Sequence, residues 1–475
     1  MFVAMVAVYF IAMIWIGVAS TKKIKNAESF LVADRTGTVI LITGSLLATI
    51  IGGSSTVGMA GKGFSWGLVG AWWLLVGIIG LAALCALFAK HIRALGLFTL
   101  PELLAKQYGS GVRLLASVVI VCAWVGVIGG QIAAAGKILI TFMPGTLSTM
   151  MAAAAAVFVL YTVLGGQISI IRTDAVQSAI MMVGIGLCAI LGLMKAGGTQ
   201  GLAEVLPPDF FRFPVNSSFS WTMLIEWLVL IGTVYVVGPD IYSRLFSSKS
   251  PETAQRSVLL TALLLIPFAA AIVVIGMAAR VLAPTLSPEE AFPYMIKASL
   301  PHGVDALVTA SLLAAIMSSA DTVLLTASTI ASVDIINPFV QRIRGQPLSD
   351  RSTLHISRLA VLVFGLLSLA LAVKHREVIG LLLYGYSVYA AGLGVPVILG
   401  FYRQKLRLNA PGAISAIIGG GGWVMFSKTS MYHSLATGMK LQVSPGVLGF
   451  FISLVVLFVG SRVASAFARR QPGRE

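Results

Sequence analysis

At 475 residues, 58% hydrophobic and 11% charged, with a mean hydropathy of +0.95, the chain is too apolar for a soluble globule and reads as a polytopic protein of the lipid bilayer. Its net charge of +16 would point to nucleic acid in a soluble protein; here basic loops set orientation, and no nucleic-acid partner is expected. The loops are too short to hold an inserted kinase, nuclease or ligand-binding domain.

Windows of about 20 apolar residues, separated by polar or Gly/Pro-rich breaks, predict an all-α chain of about thirteen transmembrane helices. They cover residues 1–21, 39–61, 68–92, 112–142, 147–164, 174–196, 219–238, 256–282, 304–334, 354–373, 377–402, 410–427 and 443–467. The first has no basic residue before it and Lys22, Lys23 and Lys25 after it. That is the reverse of a signal peptide, so a retained helix entering from outside is expected. An odd number of spans puts the termini on opposite sides. Roughly two thirds of the 33 Lys and Arg lie on the side of Lys22, which predicts an outside N-terminus and a cytoplasmic C-terminus in a plasma membrane, the inner membrane of a bacterium.

The second helix holds Gly52 and Gly53 followed by Ser54, Ser55 and Thr56 at mid-bilayer depth. Lipid offers no hydrogen-bond partners, so a helix loosened there must line protein, water, or a bound ion and solute. Trp66, Trp72, Trp73 and Trp221 fall near expected outer interfaces, as anchoring belts do. Cys85, Cys122 and Cys188 lie in apolar spans and read as packing residues without a disulfide. The five histidines form no ligand pair. Asp174 opens a helix after Gly165-Gly166, Glu226 lies within 219–238, and Asp240 and Asp334 read as ordinary residues at helix ends. Asp321 is different, because helical spacing sets it on one helix with Ser318 and Thr322, near Ala315 and Ser319. A hard monovalent cation needs about five or six oxygens. The helix 304–334 cannot supply them alone; carbonyls freed by loosening Ala48 to Gly52 would supply the rest.

At these residues the chain resembles the sodium:solute symporter family. The segment Ser29 to Arg35, the run Tyr161 to Gly166, Thr173-Asp174 with Gln177, the run Gly238 to Phe246, Ala315 to Thr322, and Ser328 to Ile335 resemble that family's signatures in the same order. The resemblance implies a LeuT-type core of two inverted five-helix repeats: residues 1–38 an extra helix and linker, 39–196 the first repeat, 197–402 an outer loop and the second repeat, 403–475 two further helices and a tail. Midplane binding and alternating access go with such a core.

By motif position the resemblance implies a sodium site at the carbonyls of Ala48, Ile51 and Ala315 and the hydroxyls of Ser318 and Ser319. A second cation site would use Asp174, Ser318, Asp321 and Thr322. The solute would lie between Ser54, Ser55 and Thr56 and the segment Gly232, Thr233 and Tyr235, with Gln131, Tyr384 and Ser387 as further wall. The implied function is sodium-coupled import of a small polar organic solute, not enzymatic catalysis. Gln167 and Arg172 depart from the signature. The polar positions of sugar carriers are Ile231 and Val234 here, and the aspartate of proline carriers is Ile50, which speaks against both solutes. Lys137 reads as snorkelling to the outer interface.

Two other classes are set beside this one. A membrane sensor or receptor on the same core would keep the site without transport. An intramembrane hydrolase needs a base near Ser318, and no His or Lys lies on that face. The oligomeric state is left open.

Overall fold

The computed structural model describes residues 26–376, 378–429 and 443–469, with isolated positions before residue 26. The expected first span, 1–21, therefore lies outside the described residues apart from those positions. Among the described residues the chain is helical, with two isolated bridges and no strand. Nine helices among the described residues are long and apolar enough to cross a membrane, and two shorter apolar helices, Val39–Ile50 and Ala410–Phe426, join them. This redistributes the expected thirteen, because several spans are broken or bent.

Helix α1 (Val39–Ile50) starts at Thr38, whose hydroxyl accepts from the Leu41 N–H, a side-chain cap for one of the free donors of a helix start. It stops at Ile51. After Gly52 and Gly53 a wide π-type turn, Ser54–Gly58, leads into α2 (Met59–Trp66). Helix α3 (Trp72–Leu87) follows a reversal at Gly67, whose φ of 73° suits a residue without a Cβ. Helix α4 (Leu100–Tyr108) was not expected; Thr99 and Glu102 cap it reciprocally, Pro101 opens it and Gly109 closes it. It leads into α5 (Ser110–Phe142).

The segment α6 (Leu147–Lys195) turns at Gly166, where φ is 54°. The Tyr161 hydroxyl is bonded to Thr173 and lies 3.1 Å from Ser169 Oγ. A straight helix would hold Tyr161 and Thr173 about 18 Å apart, so the chain doubles back and forms the two arms expected at 147–164 and 174–196. Helix α7 (Trp221–Trp227, continued through Leu228–Gly232 to Thr233–Val237) ends at the extended Gly238, and Pro239 starts α8 (Pro239–Ser247). Helix α9 (Pro251–Leu282) is capped by Ser250.

Helix α10 (Val304–Ile330) is the centre of the bundle. Of its most apolar window 94% is buried inside the protein, whereas none of the other eight long spans exceeds 65%. It packs against α6, α5 and α1 and against α11 (Asp350–His375). The far side of α11 presents Leu359, Val363, Leu366 and Leu367 outward, the lipid-facing stripe of a peripheral span. Helices α12 (Val378–Tyr389), α13 (Ala410–Phe426) and α14 (Pro445–Arg469) follow, and shorter helical turns join the spans.

The two ends of the bundle are closed differently. At one, Arg35 donates to the carbonyls of Gly96, Leu97 and Phe246, and Arg113 pairs with Asp334 at 2.6 Å and Glu102 at 3.5 Å. Asp334 is therefore a partner in an ion pair rather than a plain helix end. At the other end the rings of Trp66, Trp73, Phe219 and Trp227 meet at centroid distances of 5.0 to 6.1 Å. Trp73, expected at the interface, is inside the protein, whereas Trp221 is exposed.

Candidate functional site

The break in α1 frees carbonyls for a neighbour. In a continuous helix the N–H of Gly52 would bond the Ala48 carbonyl and that of Gly53 the Thr49 carbonyl. Instead Gly52 N–H goes to Ile50 O and Ser55 Oγ, and Gly53 N–H goes to Gln131 Oε1 at 2.7 Å. The Ser319 hydroxyl takes over the released groups, donating to Ala48 O at 3.0 Å and Thr49 O at 2.7 Å. The approach is close enough that a Cβ on Gly52 would lie 2.5 Å from Ser319 Oγ, and one on Gly53 would collide with the Ala134 methyl. Of the five residues expected around sodium, Ala48 and Ser319 are thus joined directly. Ala315 and Ser318 lie buried on the same stretch of α10, and Ile51 is the non-helical residue of the break. The Thr49 carbonyl joins the set without having been singled out from sequence.

Beside this junction is a buried charge cluster. Asp174 Oδ1 accepts from Ser318; Oδ2 accepts from Ser45 at 2.5 Å and from Arg244 Nη2 at 3.2 Å. Arg244 is fully buried. A guanidinium has five N–H donors, and five acceptors surround this one: Ser45, Asp174, Thr322, Gln167 and Ser243. Gln167, a departure from the signature, has a function here as an Arg244 acceptor. Thr322 also lies 3.3 Å from Thr49, and Asp321 accepts from Thr162 at 3.1 Å. Of the four residues expected at a second cation site, Asp174 and Thr322 bond the Arg244 guanidinium and Ser318 bonds Asp174, whereas Asp321 is held by Thr162. The signal for the guanidinium was present in the run Gly238 to Phe246, where Arg244 sits six residues past the Gly238 break.

A cavity of about 30 Å³ lies on the other side of the break, room for about two waters. Of the residues expected around the solute, Ser54, Gln131 and Tyr235 line it. Ser55 and Thr56 do not; their hydroxyls return to Ile50 O and Gly52 O and stabilise the break itself. Gly232 packs on Gly80 and Thr233 on Gly394. Tyr384 opens onto a separate cavity with Lys428 5.5 Å from its ring, and Ser387 donates to Leu383 O. The tyrosine of α12 that lines the central cavity is Tyr386 rather than Tyr384; Trp73, Thr49 and Asp240 line it too. Ile50, Ile231 and Val234 form its apolar wall, so the three positions that argue against sugar and proline all face this space.

Comparison with known proteins agrees with this architecture. The chain is 27% identical over 418 residues to sodium/glucose cotransporter 4 of Danio rerio, a match covering 77% of this chain and 62% of that protein, whose length it spans only in part. It is 24% identical to the osmoregulated proline transporter OpuE of Bacillus subtilis (strain 168), over 97% of this chain and 95% of the relative. A substrate-bound, outward-open Na+-coupled sialic acid symporter superposes with a TM-score of 0.80 at 19% identity, covering 97% of this chain and 98% of the other, which establishes the shared fold. The family model for the sodium:solute symporter family matches residues 30–420, and with four fifths of its length inside that match the chain belongs to the sodium:solute symporter family.

Proposed function

We propose that the protein imports a small polar organic solute with sodium by alternating access, across a plasma membrane with its N-terminus outside and its C-terminus in the cytoplasm. The observation that carries the reading is the bridge from Ser319 to the carbonyls that the break in α1 releases. In this reading sodium, which the family co-transports, is held by the carbonyls of Ala48, Ile51 and Ala315 and the hydroxyls of Ser318 and Ser319. An ion there turns the lone pairs of Ser319 inward, replaces its hydrogen bonds and tethers α1 to α10. It shifts the equilibrium between open states only by its differential affinity for them, and solute binding inherits that bias.

Residues 39–196 and 197–402 act as the two repeats in this scheme. A second cation at Asp174, Ser318, Asp321 and Thr322 would have to displace Arg244, so its entry is coupled to a swing of α8. The test is a sodium titration of thermal stability on the purified chain. Ser319→Ala is expected to move the sodium midpoint upward at least tenfold, about 1.4 kcal/mol of lost ion binding, with a smaller change in the sodium-free melting temperature. An unchanged midpoint sinks the assignment.

A further inference from the structure

The import reading leaves the solute unnamed, and one group in the central cavity has no task in it. Asp240 is the second residue of α8, behind the Gly238 break. The backbone N–H groups of Asp240 and Ile241 meet its carboxylate and Arg244 attracts it from a distance, but Oδ1 has no hydrogen-bond donor, and the residue helps to line the cavity. Among the described residues no ion pair reaches this carboxylate. The nearest basic side chain along the helix, Arg244, directs all five of its donors elsewhere.

An acid in the first turn of α8 complements the helix dipole, but that role leaves Oδ1 without a donor. A buried carboxylate is costly unless an opposite charge or a donor meets it. The cavity is built for such a partner. Trp73, Tyr235 and Tyr386 supply the aromatic surface that attracts organic cations, Gln131 and Ser54 add neutral polar contacts, and no Lys, Arg or His lines it to receive an anion.

We propose that the transported solute is a small organic amine whose protonated nitrogen donates to the Asp240 carboxylate, with the aromatic side chains around the cationic head. Asp240 is then a specificity-determining residue: it selects for positive charge and selects against carboxylates. The inference rests on the import reading and names its substrate class.

The experiment measures thermal stability of the purified full chain in sodium chloride and in potassium chloride, with ethanolamine, propylamine or piperidine as amine probes. Propionamide and propionate are the neutral and anionic controls. At least one amine is expected to raise the melting temperature by about 2–4 °C in sodium and much less in potassium, with no rise from amide or carboxylate. Asp240→Asn is expected to abolish the amine response while keeping the rise that sodium alone produces, and Asp240→Glu to retain part of the amine response. Stabilisation by amide or propionate equal to that by amine overturns the proposal, as does silence of all three amines while sodium still stabilises. Loss of the sodium-only rise in Asp240→Asn also overturns it, since the carboxylate would then serve the ion. Absence of any sodium effect in the wild type overturns the import reading instead. The wild-type comparison decides the matter even if Asp240→Asn does not fold.

Discussion

Gly52 stands where two helices and a side-chain amide converge: an added methyl would meet Ser319 Oγ at 2.5 Å and the Gln131 amide at 2.7 to 2.9 Å. Overpacking of this kind costs about 1–3 kcal/mol. Here it also pushes α1 away from the hydroxyl that bridges it to α10. Gly52→Ala is therefore expected to lower the melting temperature and to blunt its dependence on sodium. Gly111→Ala serves as the control, because the nearest atom to a Cβ there is 3.9 Å away. Differential scanning fluorimetry across a sodium series checks both, and a wild-type sodium response in Gly52→Ala would detach the ion from this break. The glycine pair was legible from sequence because lipid cannot satisfy a loosened backbone. Thr49 was not, because its carbonyl is freed only by the amide of Gln131, 78 positions later, capturing the Gly53 N–H. Tyr384 and Tyr386 lie on one helix about 200° apart in rotation, so they face opposite ways, and periodicity alone does not say which looks inward.

At the scale of elements, α8 is a short helix with one fully buried charge. Gly238 and Pro239 separate it from α7, and Arg244 ties it to α1 through Ser45, to α6 through Asp174 and to α10 through Thr322. Removing one partner of a buried pair costs about 3–5 kcal/mol, because the other charge is left uncompensated. Arg244→Ala is thus expected to destabilise the protein strongly in potassium. Sodium should restore part of the loss by occupying the vacated place beside Asp174, which would make the variant's melting temperature depend more steeply on sodium than the wild type's. A parallel drop at every sodium concentration would refute that expectation. Sequence periodicity locates long apolar spans well, and α4 shows where it fails. Its nine residues are too few for a membrane window, and its only mark was the capping pattern of Thr99, Pro101 and Glu102 in a stretch read as loop. The fold-back of α6 at Gly166 is legible by contrast, because Gly165-Gly166 and the polar residues Gln167, Ser169, Arg172 and Thr173 interrupt the apolar run between its two arms.

In the whole molecule, α10 is the buried axis around which the other spans pack, and the arginine end is held by contacts that join distant parts of the chain. Arg35 links the segment before α1 to the approach to α4 and to α8 through three carbonyls. Nearby, Thr329 lines a small space shared with Gln167, Pro239 and Ser243. If these contacts keep that end closed, Arg35→Ala should open it. In a background with Cys85, Cys122 and Cys188 replaced by alanine, a cysteine introduced as Thr329→Cys is expected to react several-fold faster with a polar thiol reagent once Arg35 is removed. Equal rates would mean that other contacts hold the end shut. The buried guanidinium of Arg244 has a further, electrical consequence. A full positive charge buried inside a membrane-spanning protein feels part of the transmembrane voltage, and moving one charge across the whole bilayer is worth about 2.3 kcal/mol per 100 mV. Any swing of α8 that carries Arg244 part of that way, while Asp174 stays behind, would displace charge without a bound ion. It would register as a transient capacitive current after a voltage step in the absence of both sodium and solute.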